Sequence, residues 1–270
     1  MITVSLVTAF LAAAPAALAG TQTASAGGLT ATFRFMGQFP DYSGQRLTIA
    51  KAGAVLYDQP VVSRLCATRC APGSPRASVH LLDLEHDGQP DVVLDLFSGG
   101  AHCCTIEQVF SFDPGTTTYI KTERNFGDAG ARIVDLRHDG RLEFLTADDA
   151  FAYAFTDYAA SGLPIQVLTF SNRRFHDVTR RYPKLIAQDA ARWLRRFRGM
   201  ARSGYLDSVG VIAAWAADEE LLGHRQLVSG YLSAQAKAGH LRTALAPEEP
   251  SGRRFVAALM RFLRRQGYLR

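Results

Sequence analysis

The sequence predicts an α+β protein with segregated domains, in which an all-β domain of propeller-blade-like repeats precedes a small α-helical domain. Three observations predict this arrangement. Short alternating apolar segments fill residues 29–182, two sequence units recur within them, and helical periodicity begins only near residue 185. A hydrophobic content of 47% with 20% charged residues is ordinary for a folded chain and argues against disorder.

Residues 1–19 are expected to be a cleaved export signal. An apolar run leads to a small-x-small cleavage site at residues 17–19, although no Lys or Arg precedes Arg34. Pro15 interrupts the run, and a bilayer span needs about 20 apolar residues, so an uncleaved anchor is the weaker alternative. Residues 20–28, rich in small side chains, are expected to be a flexible leader. We therefore predict a secreted or cell-envelope protein with no transmembrane segment in the mature chain.

The segment from residue 29 to residue 182 is expected to form short β-strands. Alternating apolar runs are separated by Gly, Pro, Asp and Ser, which favour turns. The expected strands are "TATFRF" (30–35), "QRLTIAKAGAVLYD" (45–58), "SVHLLDL" (78–84), "DVVLDLF" (91–97) and "IEQVFSF" (106–112), followed by "RIVDL", "EFLTA", "FAYAF", "IQVLTF" and "FHDVTRR".

An internal repeat lies within this β region. "LLDLEHDGQPDVVL" (81–94) is echoed 52 residues later by "IVDLRHDGRLEFLT" (133–146), and "QVFSF" (108–112) is echoed 58 residues later by "QVLTF" (166–170). Each unit is predicted to contain a strand, an Asp-rich turn, a strand, an insertion and two strands, with residues 45–60 as the end of an earlier unit. A closed propeller needs at least four blades, so we expect an open blade-like array or a small sandwich.

The C-terminal third, residues 185–270, is expected to form four helices. Ile186, Ala190, Trp193 and Phe197 are spaced to form one apolar stripe. Further helices are expected around Val211, Trp215 and Leu222, over Leu227–Ala238, and after a capping Ser251 with Phe255, Leu259 and Phe262 on its apolar side.

These helices are also basic. Residues 185–270 carry 14 Lys and Arg against 7 Asp and Glu, whereas residues 20–184 carry 16 against 18. Export makes nucleic acid an improbable partner, so anionic lipid or wall polymer is the ligand that this charge favours. The ordinary alternative is a set of solvated helix faces.

The turn at residues 83–91, "DLEHDGQPD", is a candidate Ca²⁺ site. Its oxygen-bearing side chains alternate along a tight turn at Gly88, and Ca²⁺ is bound by six to eight oxygens in loops of this kind. The alternative is a turn satisfied by its own side-chain to backbone bonds. The candidate ligands are Asp83, Glu85, Asp87, Gln89 and Asp91.

A second, doubtful site lies in the repeated turn. Asp135, Asp139 and Glu143 remain as candidate ligands, but Arg137 takes the third position. A fixed cation there opposes Ca²⁺, and Arg137 is expected to replace the ion by pairing with these carboxylates.

The pattern D-x-[DN]-x-[DN]-G-x-x-D between two strands resembles the FG-GAP and VCBS repeats of the integrin-α-like family. The likeness is greatest to secreted bacterial proteins of uncharacterised function in which "GGAHCC", here residues 99–104, follows such a repeat. It covers residues 78–182 and implies an extracytoplasmic, propeller-related β domain with Ca²⁺ sites, but no reaction. The sequence departs from the pattern at Glu85, which is longer than the usual ligand, and at His86.

The four cysteines are expected to form structural disulfides, because export places them in an oxidising space. Local pairs, Cys66 with Cys70 and Cys103 with Cys104, compete with a crossed pattern that ties the two regions together. The resemblance favours the local pairs, because its GGAHCC unit is self-contained. A metal site that includes His102 and a redox pair are the weaker alternatives.

The resulting prediction is a secreted, non-catalytic interaction or scaffold protein with a candidate Ca²⁺ turn and no assigned catalytic residue. Its partner is expected to be an extracellular protein or an envelope polymer. One alternative is an extracellular polymer hydrolase that uses acids at strand ends, namely Asp95, Asp148 and Asp149. Another is an anion-binding module formed by the basic helices. An aromatic face of Phe151, Tyr153 and Phe155 suits sugar stacking, but is more typical of a core.

Overall fold

The computed structural model describes residues 19–66, 70–74, 76–204, 207–243 and 250–269, so the predicted export signal, apart from Ala19, lies outside it. Three antiparallel sheets are followed by four helices, which confirms the mixed fold with β structure first and helices last. The sheets do not close into a barrel or a propeller within these ranges. No helix in the same ranges is long and apolar enough to cross a membrane.

The first sheet is a four-stranded antiparallel meander in chain order. Its last two strands come from the segment that the sequence assigned to the end of an earlier unit. The strands are β1 (Ala19–Ala26), β2 (Leu29–Gln38), β3 (Asp41–Lys51) and β4 (Ala54–Pro60).

The expectation of a flexible leader at residues 20–28 is wrong for most of its length. β1 pairs with β2 along all eight of its residues, from Ala19 opposite Met36 to Ala26 opposite Leu29. Its Gln22 side chain is buried and bonds the backbone of Ser74 and Ser78. Small side chains suggested flexibility, but an edge strand is held by its backbone bonds and needs little side-chain bulk.

The second sheet has five strands, and the third has four. Within the second, the strand after the Asp-rich turn is central and pairs with strands before and after it. The strands expected from the sequence did not include the last strand of this sheet, at residues 118–125. The strands are β5 (Ala71–Pro72), β6 (Val79–Leu82), β7 (Asp91–Gly100), β8 (Cys103–Asp113) and β9 (Thr118–Asn125), then β10 (Arg132–Val134), β11 (Glu143–Ala147), β12 (Ile165–Ser171) and β13 (Arg174–Asp177).

The predicted strand "FAYAF" is also wrong. Residues 149–151 form a short 3₁₀ helix capped by the Asp148 side chain, and turns follow. Phe151 and Phe155 are buried in the helical core, whereas Tyr153 is 57% exposed. Alternating aromatic residues suit a strand. Residues four apart, such as Phe151 and Phe155, can also lie on the same side of a helical turn. The aromatic face is therefore split between core and surface.

All four expected helices are present. Pro183 begins the first helix, which ends at Gly204 in the left-handed conformation, a common helix stop. Ser251 precedes the last helix as expected, but its side chain makes no capping bond. The helices are α1 (Pro183–Ser203), α2 (Val209–Leu221), α3 (Arg225–Lys237) and α4 (Gly252–Arg265).

The helical core is organised around α2, which is buried on all sides from Val209 to Ala217. Its Trp215 is one of the largest fully buried side chains. Phe151 and Phe155, from the insertion of the third sheet, enter this same core and contact Phe262 of α4 edge to face. The insertion therefore joins the β region to the helices through apolar packing.

Candidate functional site

The first Asp-rich turn is closed by hydrogen bonds from its own backbone. The Asp83 carboxylate accepts from the amides of Asp87 and Gly88 at 3.0 and 2.9 Å. The Asp87 side chain accepts from the Gln89 amide, and Asp91 at the start of β7 accepts from the amide of residue 84 at 3.2 Å. These bonds hold the turn between β6 and β7 in the manner of the alternative considered from the sequence.

The second turn repeats this network bond for bond. Asp135 accepts from the amides of Asp139 and Gly140 at 3.1 and 2.8 Å, and Glu143 accepts from the amide of residue 136 at 3.0 Å. His86 and His138 occupy the same step of the two turns, each at a φ of 56°. The 52-residue offset seen in the sequence therefore applies to backbone conformation and hydrogen bonding as well.

The two turns differ in the charge that they enclose. In the second, the Arg137 guanidinium lies 3.0 Å from Asp139 and 3.8 Å from Glu143, as expected for a cation that replaces an ion. The Tyr182 hydroxyl donates to the fully buried Glu143 carboxylate at 2.5 Å. In the first turn, Glu85 stands at the position of Arg137. The second turn thus contains its own counter-charge.

The first turn holds a buried carboxyl among like charges. The pKa of Asp91 is raised to about 7, mainly by burial and less by the charges of Glu85 and Asp87, against the lowering effect of its hydrogen bonds. Glu85 accepts from the Arg173 amide, and Lys51 donates to Gln89 at 3.4 Å. Across the described ranges, no three Asp, Glu, His or Cys side chains are grouped to hold a metal ion. Binding of Ca²⁺ by this turn stays a prediction, and it requires the carboxylates of the turn to reorient.

All four cysteines lie in local disulfide pairs, Cys66 with Cys70 and Cys103 with Cys104. The second pair closes the loop between β7 and β8, where the Cys104 amide donates to the Ser98 hydroxyl at 2.6 Å. No cysteine is free to act as a thiolate ligand or nucleophile in this arrangement. The structure therefore favours the covalently closed loop that the resemblance implied.

The predicted acid Asp95 belongs to a cluster that the sequence analysis missed. Its carboxylate lies 2.9 Å from Nε2 of His80 on β6, and Glu107 lies directly opposite on β8. Burial, together with the hydrogen bond and the charge of the neighbouring Asp95, raises the pKa of Glu107 well above its usual value and so favours its protonated form. The sequence signal for this cluster was the presence of His80 and Glu107 within the otherwise apolar strands "SVHLLDL" and "IEQVFSF".

The other two predicted acids lie on the insertion after β11. Asp148 accepts from the Tyr268 hydroxyl at 2.8 Å, and the Asp149 carboxylate packs against Gly127, where burial raises its pKa. Asp148 borders a cavity of about 470 Å³ between the third sheet and the helices. The other carboxylate of this cavity, Asp177, already accepts bonds from Gln166 and Thr179. Both carboxylates that line the cavity are thus hydrogen-bonded to neighbouring side chains.

A strongly basic surface lies on α4, and we call it the arginine face. Five of the 14 residues of this helix are exposed arginines, and none is acidic. Phe255, Leu259, Phe262 and Leu263 bury the opposite side in the helical core. The arginine face consists of Arg253, Arg254, Arg261, Arg264 and Arg265.

Comparison with known proteins yields two distant relatives and no match to a family model or to a solved structure. A probable thylakoid lumen protein of Synechocystis sp. is 26% identical over 168 residues, which cover 55% of this chain and 45% of that protein. An uncharacterised protein of Sinorhizobium fredii is 25% identical over 240 residues, which cover 83% of this chain and 36% of that protein. The chain thus spans less than half the length of either relative.

Proposed function

We propose that this is an extracytoplasmic, non-catalytic interaction protein that attaches to a phosphate-rich anionic membrane surface through the arginine face of α4. The observation that carries the proposal is the exposed set of five arginines without an acidic residue in the same helix. Each basic residue held near an anionic lipid surface contributes about 1 kcal/mol, so several on one rigid helix suffice for reversible attachment.

The geometry of α4 supports an electrostatic rather than an inserted mode of binding. Its large apolar residues Phe255, Leu259, Phe262 and Leu263 are buried in the helical core, so they do not form an exposed face for insertion into a bilayer. The arginines are held on a fixed surface by that packing, and no salt bridge among the described residues involves any of them. Binding of this kind weakens as salt screens the charges.

The extracytoplasmic location is supported by the expected export signal, by the disulfide pairs and by the Synechocystis relative, whose description places it in the thylakoid lumen. Disulfides persist in oxidising compartments. For the β region we propose a scaffold of FG-GAP/VCBS-like blades. Four-stranded meanders and the two turns with matching hydrogen bonds support that proposal.

The hydrolase alternative now depends on Asp95 with its neighbours His80 and Glu107. Asp148 and Asp149 lie on a different loop, and the polar groups of the adjoining cavity bond one another. A retaining or inverting glycosidase needs two carboxyl groups about 5–10 Å apart across an open site. We therefore retain catalysis as the second candidate and binding as the first.

Co-sedimentation of the full chain with lipid vesicles tests the proposed attachment. We expect retention on vesicles with about 30% phosphatidylglycerol at 50 mM NaCl, little retention on phosphatidylcholine, and release at 500 mM NaCl, because the charges are screened. The triple variant Arg254→Glu, Arg261→Glu and Arg265→Glu should lose retention at low salt.

The matched control places the same charge change on the β sheets, at the exposed residues Arg34, Arg132 and Arg174. This control should bind like the unmodified protein. Equal loss in both triple variants, or retention that ignores salt, overturns the assignment to α4. Binding to a purified wall phosphodiester polymer without retention on the phosphatidylglycerol vesicles would instead identify that polymer as the partner and overturn the lipid proposal.

A further inference from the structure

Three aromatic side chains from two separate loops form an exposed cluster beside the Cys103–Cys104 disulfide. The His102 ring stacks on Tyr158 with centroids 4.6 Å apart and planes 24° apart, and the Tyr153 ring lies 5.6 Å from Tyr158. Tyr153 is 57% exposed, and His102 is also exposed. We call these three residues the aromatic platform. We propose that the aromatic platform is a binding site for neutral glycans, separate from the arginine face.

The loop that carries His102 is held rigidly. The disulfide links its two cysteines, Gly100 pairs with Cys103 across the hairpin, and the Cys104 amide donates to Ser98. A loop fixed before ligand arrives loses little conformational entropy on binding. The GGAHCC unit therefore positions the His102 ring rather than supplying reactive thiols.

The loop that carries the two tyrosines is anchored to the helical core. Phe151 and Phe155 are buried in the helical core, one on each side of the exposed Tyr153. Farther along, the loop packs directly on α2, where a Cβ atom on Gly210 would lie 2.6 Å from the Ala160 carbonyl. The position of Tyr153 is thus fixed by packing on both sides.

The backbone of Tyr153 adds a second indication. Its φ of 57° is uncommon for a residue with a side chain, and its amide is held by the Ser161 hydroxyl at 3.2 Å. Backbone outliers of this kind cost free energy and concentrate at binding and active sites. An exposed aromatic ring in a strained, hydrogen-bonded position contributes little to the core, so a surface role accounts for it best.

The groups around the rings define the class of ligand. Flat aromatic faces pack against the C–H faces of pyranose rings, and nearby carboxylates accept hydrogen bonds from sugar hydroxyls. Asp128 is exposed and hydrogen-bonded to the Tyr158 hydroxyl, and burial, followed by this bond, raises the pKa of Tyr158. Asp149 also lies near Tyr158. These negative charges disfavour uronic acids and other anionic polymers, so the site suits uncharged sugars.

Isothermal titration calorimetry of the full disulfide-bonded chain tests the site with four probes. These are cellohexaose, chitohexaose, hexagalacturonate and a proline-rich decapeptide. We expect at least one of the two neutral hexasaccharides to bind with a Kd on the order of 0.1–1 mM. The anionic hexamer should bind at least tenfold more weakly.

Variants locate the binding. Tyr153→Ala should weaken glycan binding at least tenfold, whereas Tyr153→Trp should retain it because a flat ring remains. Phe112→Ala, at another partly exposed aromatic of 37% exposure, is the matched control and should bind normally. Thermal melting and unchanged vesicle retention show that each variant is folded. Lack of heat with both neutral glycans at about 10 mM, binding of the peptide alone, or normal binding by Tyr153→Ala would overturn the proposal.

Discussion

At the scale of single residues, the two repeated turns differ in charge at two positions, where Arg137 stands in place of Glu85 and Arg141 in place of Gln89. Glu85 and Arg137 occupy equivalent positions in otherwise matching hydrogen-bond networks. In the second turn, Arg137 and Tyr182 together satisfy the buried Glu143. In the first, Asp91 is buried among carboxylates, which raises its pKa to about 7. The second turn therefore carries a cation beside its buried carboxylate, and the first turn carries a carboxylate at that position.

The raised pKa of Asp91 predicts a pH-dependent stability. Its usual pKa is 3.8, so the folded state holds this proton more tightly than the unfolded state does. The stabilisation from protonated Asp91 is complete below pH 4 and is lost as the pH rises through about 7. Asp91→Asn removes this titration. Relative to the variant, the unmodified protein should lose about 2–3 kcal/mol of unfolding free energy between pH 5 and pH 8.

Urea denaturation in EDTA at several pH values measures this difference. Asp41→Asn, at an exposed residue of the first sheet, serves as the control and should follow the unmodified protein at every pH. A constant difference between Asp91→Asn and the unmodified protein from pH 5 to pH 8 would contradict the burial argument.

At the scale of elements, each Asp-rich turn is a self-contained link between two strands. β6 and β7 are joined by the first turn and β10 and β11 by the second. The sequence predicted this equivalence because turn geometry depends on local residues such as Asp83, Gly88 and their counterparts. Ion binding is a separate property, because it depends on net charge within the turn.

We expect that changing the charge at residue 85 or at residue 137 changes the response of the corresponding turn to Ca²⁺. If the first turn binds Ca²⁺, millimolar CaCl₂ should raise the thermal midpoint of the unmodified protein by a few degrees through ligand linkage. Glu85→Arg should abolish the rise, because it places a cation where the ion would lie. Glu85→Gln, which removes only charge, should reduce it. Arg137→Glu should create a second Ca²⁺ response in the other turn.

Differential scanning calorimetry with CaCl₂ and with MgCl₂ makes the comparison. An identical midpoint in EDTA and in CaCl₂ for the unmodified protein would show that the turn is closed by its hydrogen bonds alone. A rise that persists in Glu85→Arg would locate the ion elsewhere.

At the scale of the whole molecule, polar bonds join the β region to the helices. The Arg180 guanidinium, just after β13, donates to the carbonyls of Leu221 and Tyr268 at 2.9 Å each, near the C-terminal ends of α2 and α4. Asp189 of α1 accepts from the Ile165 amide at the start of β12 at 3.0 Å. Together with the buried Phe151 and Phe155, these bonds predict that the two parts unfold together.

Arg180→Ala should therefore destabilise the entire chain. Loss of charged donors to helix-end carbonyls costs about 2 kcal/mol, so the urea midpoint should fall in both spectroscopic signals at once. Fluorescence follows Trp193 and Trp215, which lie in helices, whereas far-ultraviolet circular dichroism follows helices and sheets together. Arg181→Ala, at the exposed neighbour, should change stability by less than about 0.5 kcal/mol. Separate transitions for the two signals would show independent domains.

The sequence by itself determined most strands of the repeated units, the equivalent turns and the helices, because these depend on local periodicity and turn chemistry. Ile186, Trp193 and Phe197 are buried as their spacing predicted. These features need only neighbouring residues to specify them. The residues left two patterns of cysteine pairing open, and the local pairs were favoured by the family resemblance.

Only the tertiary structure decided the remaining features, because they depend on contacts between distant segments. β1 became a strand through pairing with β2, and "FAYAF" lost its expected strand because Phe151 and Phe155 found a core among the helices. The same packing leaves Tyr153 at the surface. There Tyr153 and His102, which comes from a loop about 50 residues earlier, both lie against the ring of Tyr158. Local periodicity carries no information about which partner a side chain meets, so the aromatic platform and the His80–Asp95–Glu107 cluster emerged only from the fold.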